Sequence, residues 1–265
     1  MGDFDFVEHY GAAVEAASDE LLPENEAVSS LNCAFVGVGG GGGKLAKAFL
    51  DLGFNKTLLI NTTPKDQPEG VDLKHLVLIP DADGVGKDVD NGKVVLDNAS
   101  AVVEDALRTK LGAVDWLFVL AGGGGGTGSA STFAKLLSQL FKLSSEQSSI
   151  QSFDSKDLEK CLSIDGRIFL GSALVVDPSA PGLGATIFQN CSTRSPCPIP
   201  QGNPSTGAML LVVTPTMASD PEISKHMDAA ISYVGGRTKT LFSGVYVKDE
   251  VPGLIAILCM SGLKN

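Results

Sequence analysis

The residues from Leu117 to Ser131, LFVLAGGGGGTGSAS, place five consecutive glycines directly after an apolar run. A second run of five glycines, Gly39–Gly43, follows another apolar run, LNCAFVGV. Glycine loses more conformational freedom on folding than any other residue, so each run carries a large entropic cost. A chain that keeps two such runs must need backbone without side chains at both places.

The spacing of apolar residues predicts that strands alternate with helices over the first half of the chain. Short apolar runs indicate buried strands, and helical spacing of apolar residues follows each glycine run. This alternation predicts an α/β fold with a doubly wound, mostly parallel sheet, followed by a smaller α+β C-terminal domain. The predicted strands lie at residues 31–40, 57–63, 75–81, 115–122, 208–216, 240–250 and 254–262, with a C-terminal helix at 222–234.

In doubly wound sheets, ligands bind at the loops that follow the carboxyl ends of the strands, and both glycine runs fall on such loops. Successive backbone N–H groups without side chains converge on an anion, and the dipole of the following helix adds positive potential. Two such loops on adjacent strands would hold a diphosphate or triphosphate from two sides. The simpler alternative, a tight turn between strand and helix, needs only one or two glycines.

Two other phosphate-binding patterns, the Walker-type P-loop and the dinucleotide motif, fit the sequence less well. No G-x-x-x-x-G-K-[ST] motif occurs, which excludes a Walker-type P-loop. The segment GVGGGGGKLA satisfies the dinucleotide pattern G-x-G-x-x-G, but the next strand ends in Asn61-Thr62-Thr63, without the acidic residue that would bind a ribose. A dinucleotide-binding oxidoreductase is therefore a distant alternative, and it leaves the second glycine run unexplained.

Composition limits the partners and the compartment. The formal net charge of −11 and the pI near 4.7 argue against direct nucleic-acid binding, which requires a basic surface. Five cysteines without a C-x-x-C pair indicate reduced thiols, and the acidic N-terminus lacks the features of a signal peptide. No apolar run approaches the length of a membrane span. These features predict a cytoplasmic protein that does not insert into a membrane.

Four segments, in order and spacing, resemble the nucleotide-binding loops of the tubulin/FtsZ superfamily. GGGGGTGSA (122–130) resembles its G-G-G-T-G-[ST]-G signature, and VGVGGGGGK (36–44) resembles the first phosphate loop of FtsZ. LLINTTPKD (58–66) resembles its I-N-T-D segment, and GVGKDVDNG (84–92), a polar turn, occupies the place of the loop that senses the γ-phosphate. The resemblance implies GTP/GDP as ligand, Mg²⁺ bridging phosphate oxygens, and head-to-tail self-association into filaments that hydrolyse GTP.

The resemblance also implies which residues contact the nucleotide. The two glycine runs would hold the phosphates, the end of the second strand would lie beside them, and the third loop would face the γ-phosphate. No residue of the chain is assigned as a metal ligand. The implied contacts are Gly39, Gly40, Gly41, Gly42, Gly43, Lys44, Asn61, Thr62, Gly84, Gly86, Gly122, Gly124, Gly125, Gly126, Thr127, Gly128 and Ser129.

In the family, the catalytic acids lie on a D-x-x-D loop of the second domain and act on the nucleotide of the neighbouring subunit. FDSKDLEKCL (153–162) fits this pattern, with Asp154 and Asp157 as the catalytic residues. Two carboxylates there can orient a water for in-line attack on the γ-phosphate. The structural alternative is an acidic N-cap with a second acid in the first helical turn.

The sequence departs from the family most clearly between the second glycine run and the D-x-x-D loop. The family has further strands, base-contacting loops and a long central helix there, whereas about ten polar residues separate Phe141 from Phe153 here. Thr63 also replaces the usual aspartate of I-N-T-D. These departures favour an alternative function, a non-hydrolysing structural or regulatory relative that caps or co-assembles with a filament protein.

The domain boundaries follow from these assignments. An acidic N-terminal extension precedes the nucleotide-binding domain, and a polar linker joins that domain to the catalytic-loop helix and the C-terminal α+β domain. The predicted segments are residues 1–30, 31–142, 143–152 and 153–265, in that order.

Overall fold

The structure is a computed structural model that describes residues 29–79, 89–122, 127–195 and 202–264. The chain divides into two compact units, with the boundary between Lys135 and Leu136. The predicted γ-phosphate residues Gly84 and Gly86 and the glycines Gly124–Gly126 lie outside the described residues. The acidic extension predicted for residues 1–30 also lies outside them, apart from its last two serines.

The first unit contains a four-stranded parallel sheet with the strand order β3-β2-β1-β4. Two short 3₁₀ turns, Pro64–Asp66 and Leu73–His75, follow β2, and a π turn, Leu107–Leu111, ends the second helix. The unit's main elements are β1 (Cys33–Val38), α1 (Gly39–Asp51), β2 (Thr57–Asn61), β3 (Leu76–Leu78), α2 (Val89–Ala106), β4 (Trp116–Ala121) and the start of α3 (Thr127–Ser145).

Helices cover this sheet on both faces, which makes it doubly wound. On one face, Phe35 of β1 stacks on Phe49 of α1 with ring centroids 3.9 Å apart, and Phe118 of β4 joins the stack at 5.1 Å from Phe35. On the other face, the alternate residues Ala34 and Val36 pack in a cluster with residues of β2, β3 and α2. The α/β prediction for this half of the chain is confirmed.

The second unit contains a mixed four-stranded sheet with the strand order β5-β8-β6-β7, as many strands as the first sheet. β7 runs parallel to β6, and β8 runs antiparallel to both β5 and β6. All eight residues of β6 are buried, so this central strand forms the core. The elements are α4 (Ser155–Leu162), β5 (Arg167–Val175), α5 (Leu183–Arg194), β6 (Thr206–Val213), α6 (Pro215–Ser219), α7 (Pro221–Gly235), β7 (Thr240–Val247) and β8 (Leu254–Leu263).

Three boundaries differ from the sequence-based expectations. The strand predicted to reach residue 216 ends at Val213, because Thr214 caps a new helix and Pro215 supplies its first residue. The polar turn predicted to reach Gly92 already belongs to α2 from Val89 onward. α3 continues to Ser145, so the first three residues of the predicted linker are helical. Within the described residues, no helix is long and apolar enough to cross a membrane.

Candidate functional site

The first glycine run forms the first turn of α1. Val38 precedes the helix in an extended conformation and provides no side-chain cap, and the first turn carries no acidic residue. Gly39 has a φ of +69°, a left-handed conformation that side chains rarely adopt. The start of α1 therefore presents backbone N–H groups and the positive end of the helix dipole without a carboxylate of its own first turn.

The two glycine loops lie side by side because their strands are neighbours. In the parallel pairing of β1 with β4, Val38 is opposite Ala121, so both loops start at the same level of the sheet. A Cβ atom built on Gly41 would lie 2.8 Å from the Cα of Gly122. A Cβ on Gly42 would lie 2.1 Å from the carbonyl oxygen of Leu120. Close backbone approach therefore requires glycine at residues 41, 42 and 122.

Packing does not account for the other glycines of this run. A Cβ on Gly40 would meet nothing closer than the Cβ of Asp66, at 3.4 Å, and a Cβ on Gly43 nothing closer than 3.6 Å. A Cβ on Gly39 would meet no atom within 4 Å, so only its positive φ requires glycine. The space beside Gly39 is open, and the space beside Gly40 is bounded by Asp66 at van der Waals distance.

The end of β2 turns back toward the first glycine run. The Asn61 side-chain oxygen accepts hydrogen bonds from the backbone N–H groups of Thr62, at 2.8 Å, and Thr63, at 3.4 Å. Thr63 then caps the turn Pro64–Asp66 by accepting a hydrogen bond from Lys65 N–H. The turn brings Asp66 beside Gly40, with its Cγ 3.8 Å from the position of a Cβ on that glycine.

Asp66 was not among the predicted site residues. The family's carboxylate is expected at the position of Thr63, and sequence spacing alone gives no reason to look three residues further. Thr63 as N-cap and Pro64 at the first helical position are nevertheless a recognisable turn signal, and it could have directed attention to this segment. Within the described residues, no group of three or more His, Cys, Asp or Glu side chains could hold a metal ion.

The remaining predicted contacts on this unit are only partly described. Lys44 is exposed on the second turn of α1. Thr127, Gly128 and Ser129 form the first turn of α3, directly after the second glycine run. This helix start agrees with the expected order of strand, glycine loop and helix.

The predicted catalytic pair lies on the second unit, at the start of α4. Asp154 is exposed and is the N-cap of the helix, and Asp157 is half-buried at the third helical position. Asp154 Oδ1 accepts hydrogen bonds from Lys156 N–H at 2.9 Å and Asp157 N–H at 3.0 Å, and Asp157 Oδ2 accepts one from Asp154 N–H at 3.5 Å. This reciprocal arrangement is a capping box, so a structural role for both carboxylates is present whatever else they do.

Comparison with solved structures shows that the chain has a tubulin/FtsZ-like fold. A GTPγS-form protofilament of TubZ from Bacillus thuringiensis serovar israelensis matches with a TM-score of 0.72 at 11% identity, over 90% of this chain and 88% of that chain. A GDP-bound CetZ1 monomer from Haloferax volcanii matches at 0.63 with 15% identity, over 89% and 95%. An empty FtsZ dimer from M. jannaschii matches at 0.59 with 12% identity, over 88% and 89%.

Sequence comparison adds no further match. No protein-family model matches the chain, and a search of curated proteins finds no relative. The likeness therefore lies in the fold and in the short loop motifs, not in overall sequence identity.

Proposed function

We propose that this chain is a GTP-binding protein that assembles head to tail into filaments and hydrolyses GTP between subunits. The observation that carries the proposal is the contact between the two glycine loops at Gly41 and Gly122, at the ends of neighbouring parallel strands in a tubulin/FtsZ-like fold. The solved structures of that fold include a GDP-bound CetZ1 and GTPγS-form protofilaments of TubZ, which supports a guanine nucleotide and self-association for this chain.

The phosphates of GTP would bind the backbone N–H groups at the starts of α1 and α3, with Asn61 and Thr62 beside them. A Cβ on Gly39 would meet no atom within 4 Å, so the start of α1 leaves room for this approach. Asp66, next to Gly40, would repel bare phosphate. Asp66 would be the carboxylate that helps to hold Mg²⁺, which would supply charge neutralisation for the phosphates.

Asp154 and Asp157 would act on the nucleotide bound by the adjacent subunit. The hydrogen bonds of the capping box use Oδ1 of Asp154 and Oδ2 of Asp157. The proposal assigns the attacking water to the second oxygen of each carboxylate, which can accept its protons and orient it in line. Because the acids and the phosphates come from different subunits, turnover per subunit should rise steeply with protein concentration.

A non-hydrolysing relative that caps or co-assembles with a filament protein is the second candidate. Two features favour it. The capping box already explains both acids structurally, and the strand at one end of the first sheet has exposed apolar side chains. Among the strands of the described residues, β4 is terminal in that sheet, and its side chains Leu117 and Val119 are 47% and 63% exposed. An uncovered apolar edge strand is a surface on which another chain can pair.

GTP turnover per subunit, measured against protein concentration with light scattering in parallel, separates the two functions. Asp154→Asn is the informative variant, because asparagine caps a helix as well as aspartate does and removes only the charge. Asp165→Asn, at an exposed aspartate of the same unit, is the matched control. Turnover that appears with scattering and is lost only in Asp154→Asn supports an assembly-coupled GTPase. Turnover that does not depend on concentration refutes catalysis between subunits.

The second candidate, a non-hydrolysing relative, predicts a different experimental result. Binding of GTP without turnover in the unaltered chain, together with co-pelleting with a filament protein of this fold, would establish a regulatory relative. Absence of GTP binding would refute the GTPase, and absence of co-pelleting would refute the second candidate.

A further inference from the structure

The segment between α3 and α4, residues 146–154, runs along the outer edge of the second sheet. Among the strands of the described residues, β7 is terminal in this sheet and pairs along its length with β6. On its other side, Val245 N–H donates a hydrogen bond to the carbonyl oxygen of Gln151 at 2.8 Å, and the two residues form an antiparallel bridge. The loop that leads to the predicted catalytic acids is therefore attached to a strand almost a hundred residues later in the chain.

Side chains add further links between this loop and β7. The Ser148 hydroxyl donates to the carbonyl oxygen of Val245 and accepts the N–H groups of Ile150 and Gln151, at 3.1 and 3.2 Å. The Gln151 amide donates to the hydroxyl of Ser243 at 2.9 Å. At the start of the loop, Glu146 forms an ion pair of 2.5 Å with Lys248, which directly follows the strand.

Tyr246 makes the link that lies nearest to the acids. Its ring is almost fully buried, and its hydroxyl both accepts a hydrogen bond from Phe153 N–H and donates one to the Phe153 carbonyl oxygen, each at 3.1 Å. Burial raises the pKa of Tyr246, so the hydroxyl keeps the proton that the second bond requires. Phe153 is itself fully buried, and the next residue in the chain is Asp154.

Tyr246 and Phe153 pack closely against Gly244 of β7. A Cβ built on Gly244 would lie 2.8 Å from Cε2 of Tyr246 and 3.0 Å from Cβ of Phe153. Glycine at residue 244 therefore lets the tyrosine ring and the phenylalanine lie against the strand. The peptide groups on both sides of Phe153 are therefore hydrogen-bonded to a buried tyrosine directly before α4 begins.

We propose that Tyr246 is a positioning residue that sets the location of Asp154 and Asp157 through the backbone of Phe153. The inference rests on the proposed hydrolysis of GTP at the subunit interface. In-line attack on a phosphate tolerates little error, since a displacement of about 1 Å can lower a rate by about a hundredfold. The contacts with β7 would support the catalytic loop at that position.

Tyr246→Phe tests the inference, because it keeps the ring and removes only the hydroxyl. Two buried backbone groups of Phe153 then lose their partner, which favours a shifted loop. We expect turnover at saturating GTP to fall about ten- to a hundredfold. The affinity for GTP should not change, because the phosphate loops belong to the other unit. The protein concentration at which scattering appears should also stay the same. Tyr233→Phe, an exposed tyrosine of the same unit, is the matched control and should behave like the unaltered chain.

Amide hydrogen exchange gives a readout that does not depend on catalysis. Exchange over residues 146–158 should accelerate in Tyr246→Phe and stay unchanged in Tyr233→Phe, while exchange in β6 is the same in both. Unaltered exchange in Tyr246→Phe would overturn the proposed link. Faster exchange with normal turnover would overturn the positioning role alone. No turnover in the unaltered chain would refute the proposed hydrolysis and this inference with it.

Discussion

The glycines of the first loop differ in what an added methyl group would meet, so two single substitutions have opposite expected effects. In Gly42→Ala the new Cβ lies 2.1 Å from the carbonyl oxygen of Leu120, at the end of β4. Relieving this contact requires α1 and β4 to move apart by about 1 Å, in a region where backbone packs against backbone. In Gly40→Ala the closest atom is at 3.4 Å, an ordinary contact.

The change in the free energy of unfolding for each variant is the sum of two opposing contributions. Alanine is about 1 kcal/mol more favourable than glycine within a helix, whereas overpacking typically costs about 1–3 kcal/mol and sometimes more. Because Gly42 would clash with backbone, which cannot rotate away, we expect a net loss of about 2 kcal/mol and a Tm lower by roughly 4–8 °C. Gly40→Ala should unfold at the Tm of the unaltered chain or slightly above it.

Nucleotide binding gives the second half of the test. Thermal unfolding with and without Mg·GTP should show stabilisation of the unaltered chain, by about 2.7 kcal/mol when GTP is at a hundred times its Kd. Gly40→Ala should lose most of this stabilisation, because its methyl group would project from the first glycine run beside Asp66, in the region where the proposal places the phosphates and Mg²⁺. Gly42→Ala should keep it in the fraction that remains folded.

Two results would refute this reasoning. If Gly42→Ala unfolds at the same temperature as the unaltered chain, the close approach of the two loops does not hold. If Gly40→Ala keeps the full stabilisation by Mg·GTP, the space beside Asp66 is not part of the nucleotide site. Each result concerns one variant, so the packing and the ligand assignments are tested separately.

Two further predictions concern the cores. Phe49→Ala should cost about 3–5 kcal/mol in urea unfolding, because the ring is fully buried and stacks on Phe35; a loss below 1 kcal/mol would contradict that packing. Burial raises the pKa of Cys161 to about 12, so the folded protein binds a proton that the unfolded chain releases above about pH 8.5. The contribution of this thiol to the free energy of unfolding is therefore complete below about pH 8.5 and is lost as the pH rises toward 12. Cys161→Ala should flatten the fall measured by urea unfolding between pH 8 and 11, and an unchanged slope would contradict the burial of the thiol.

The sequence predicts the sheet of the first unit well because its strands are short apolar runs that end in glycine or polar residues. It fails at β5, where Gly171 and Ser172 interrupt the apolar run. The reason for Gly171 lies in tertiary structure: its Cβ would lie 2.8 Å from the carbonyl oxygen of Cys191 on α5. A glycine required by a close helix looks the same in sequence as a glycine that ends a strand.

The candidate site also contains some residues that the sequence predicts and others that it does not. The paired glycine loops follow from sequence, because strand order and glycine runs are both local signals. Asp66 and Tyr246 do not, since each reaches its place through contacts between distant parts of the chain. The bond from Tyr246 to Phe153 joins residues 93 positions apart, and no periodicity or motif encodes such a pairing.

The two parts of the proposed function rest on observations of different kinds. In the phosphate loops, packing explains Gly41, Gly42 and Gly122, whereas a Cβ on Gly40 would make only an ordinary contact with Asp66, and the proposed ligand would account for glycine there. At the acids, helix capping already accounts for Asp154 and Asp157. The case for catalysis therefore depends on the support of the loop by β7, which exceeds what a short helix needs in order to be capped. GTP turnover and its loss in Asp154→Asn separate the two functions, and Tyr246→Phe then tests whether β7 positions the acids.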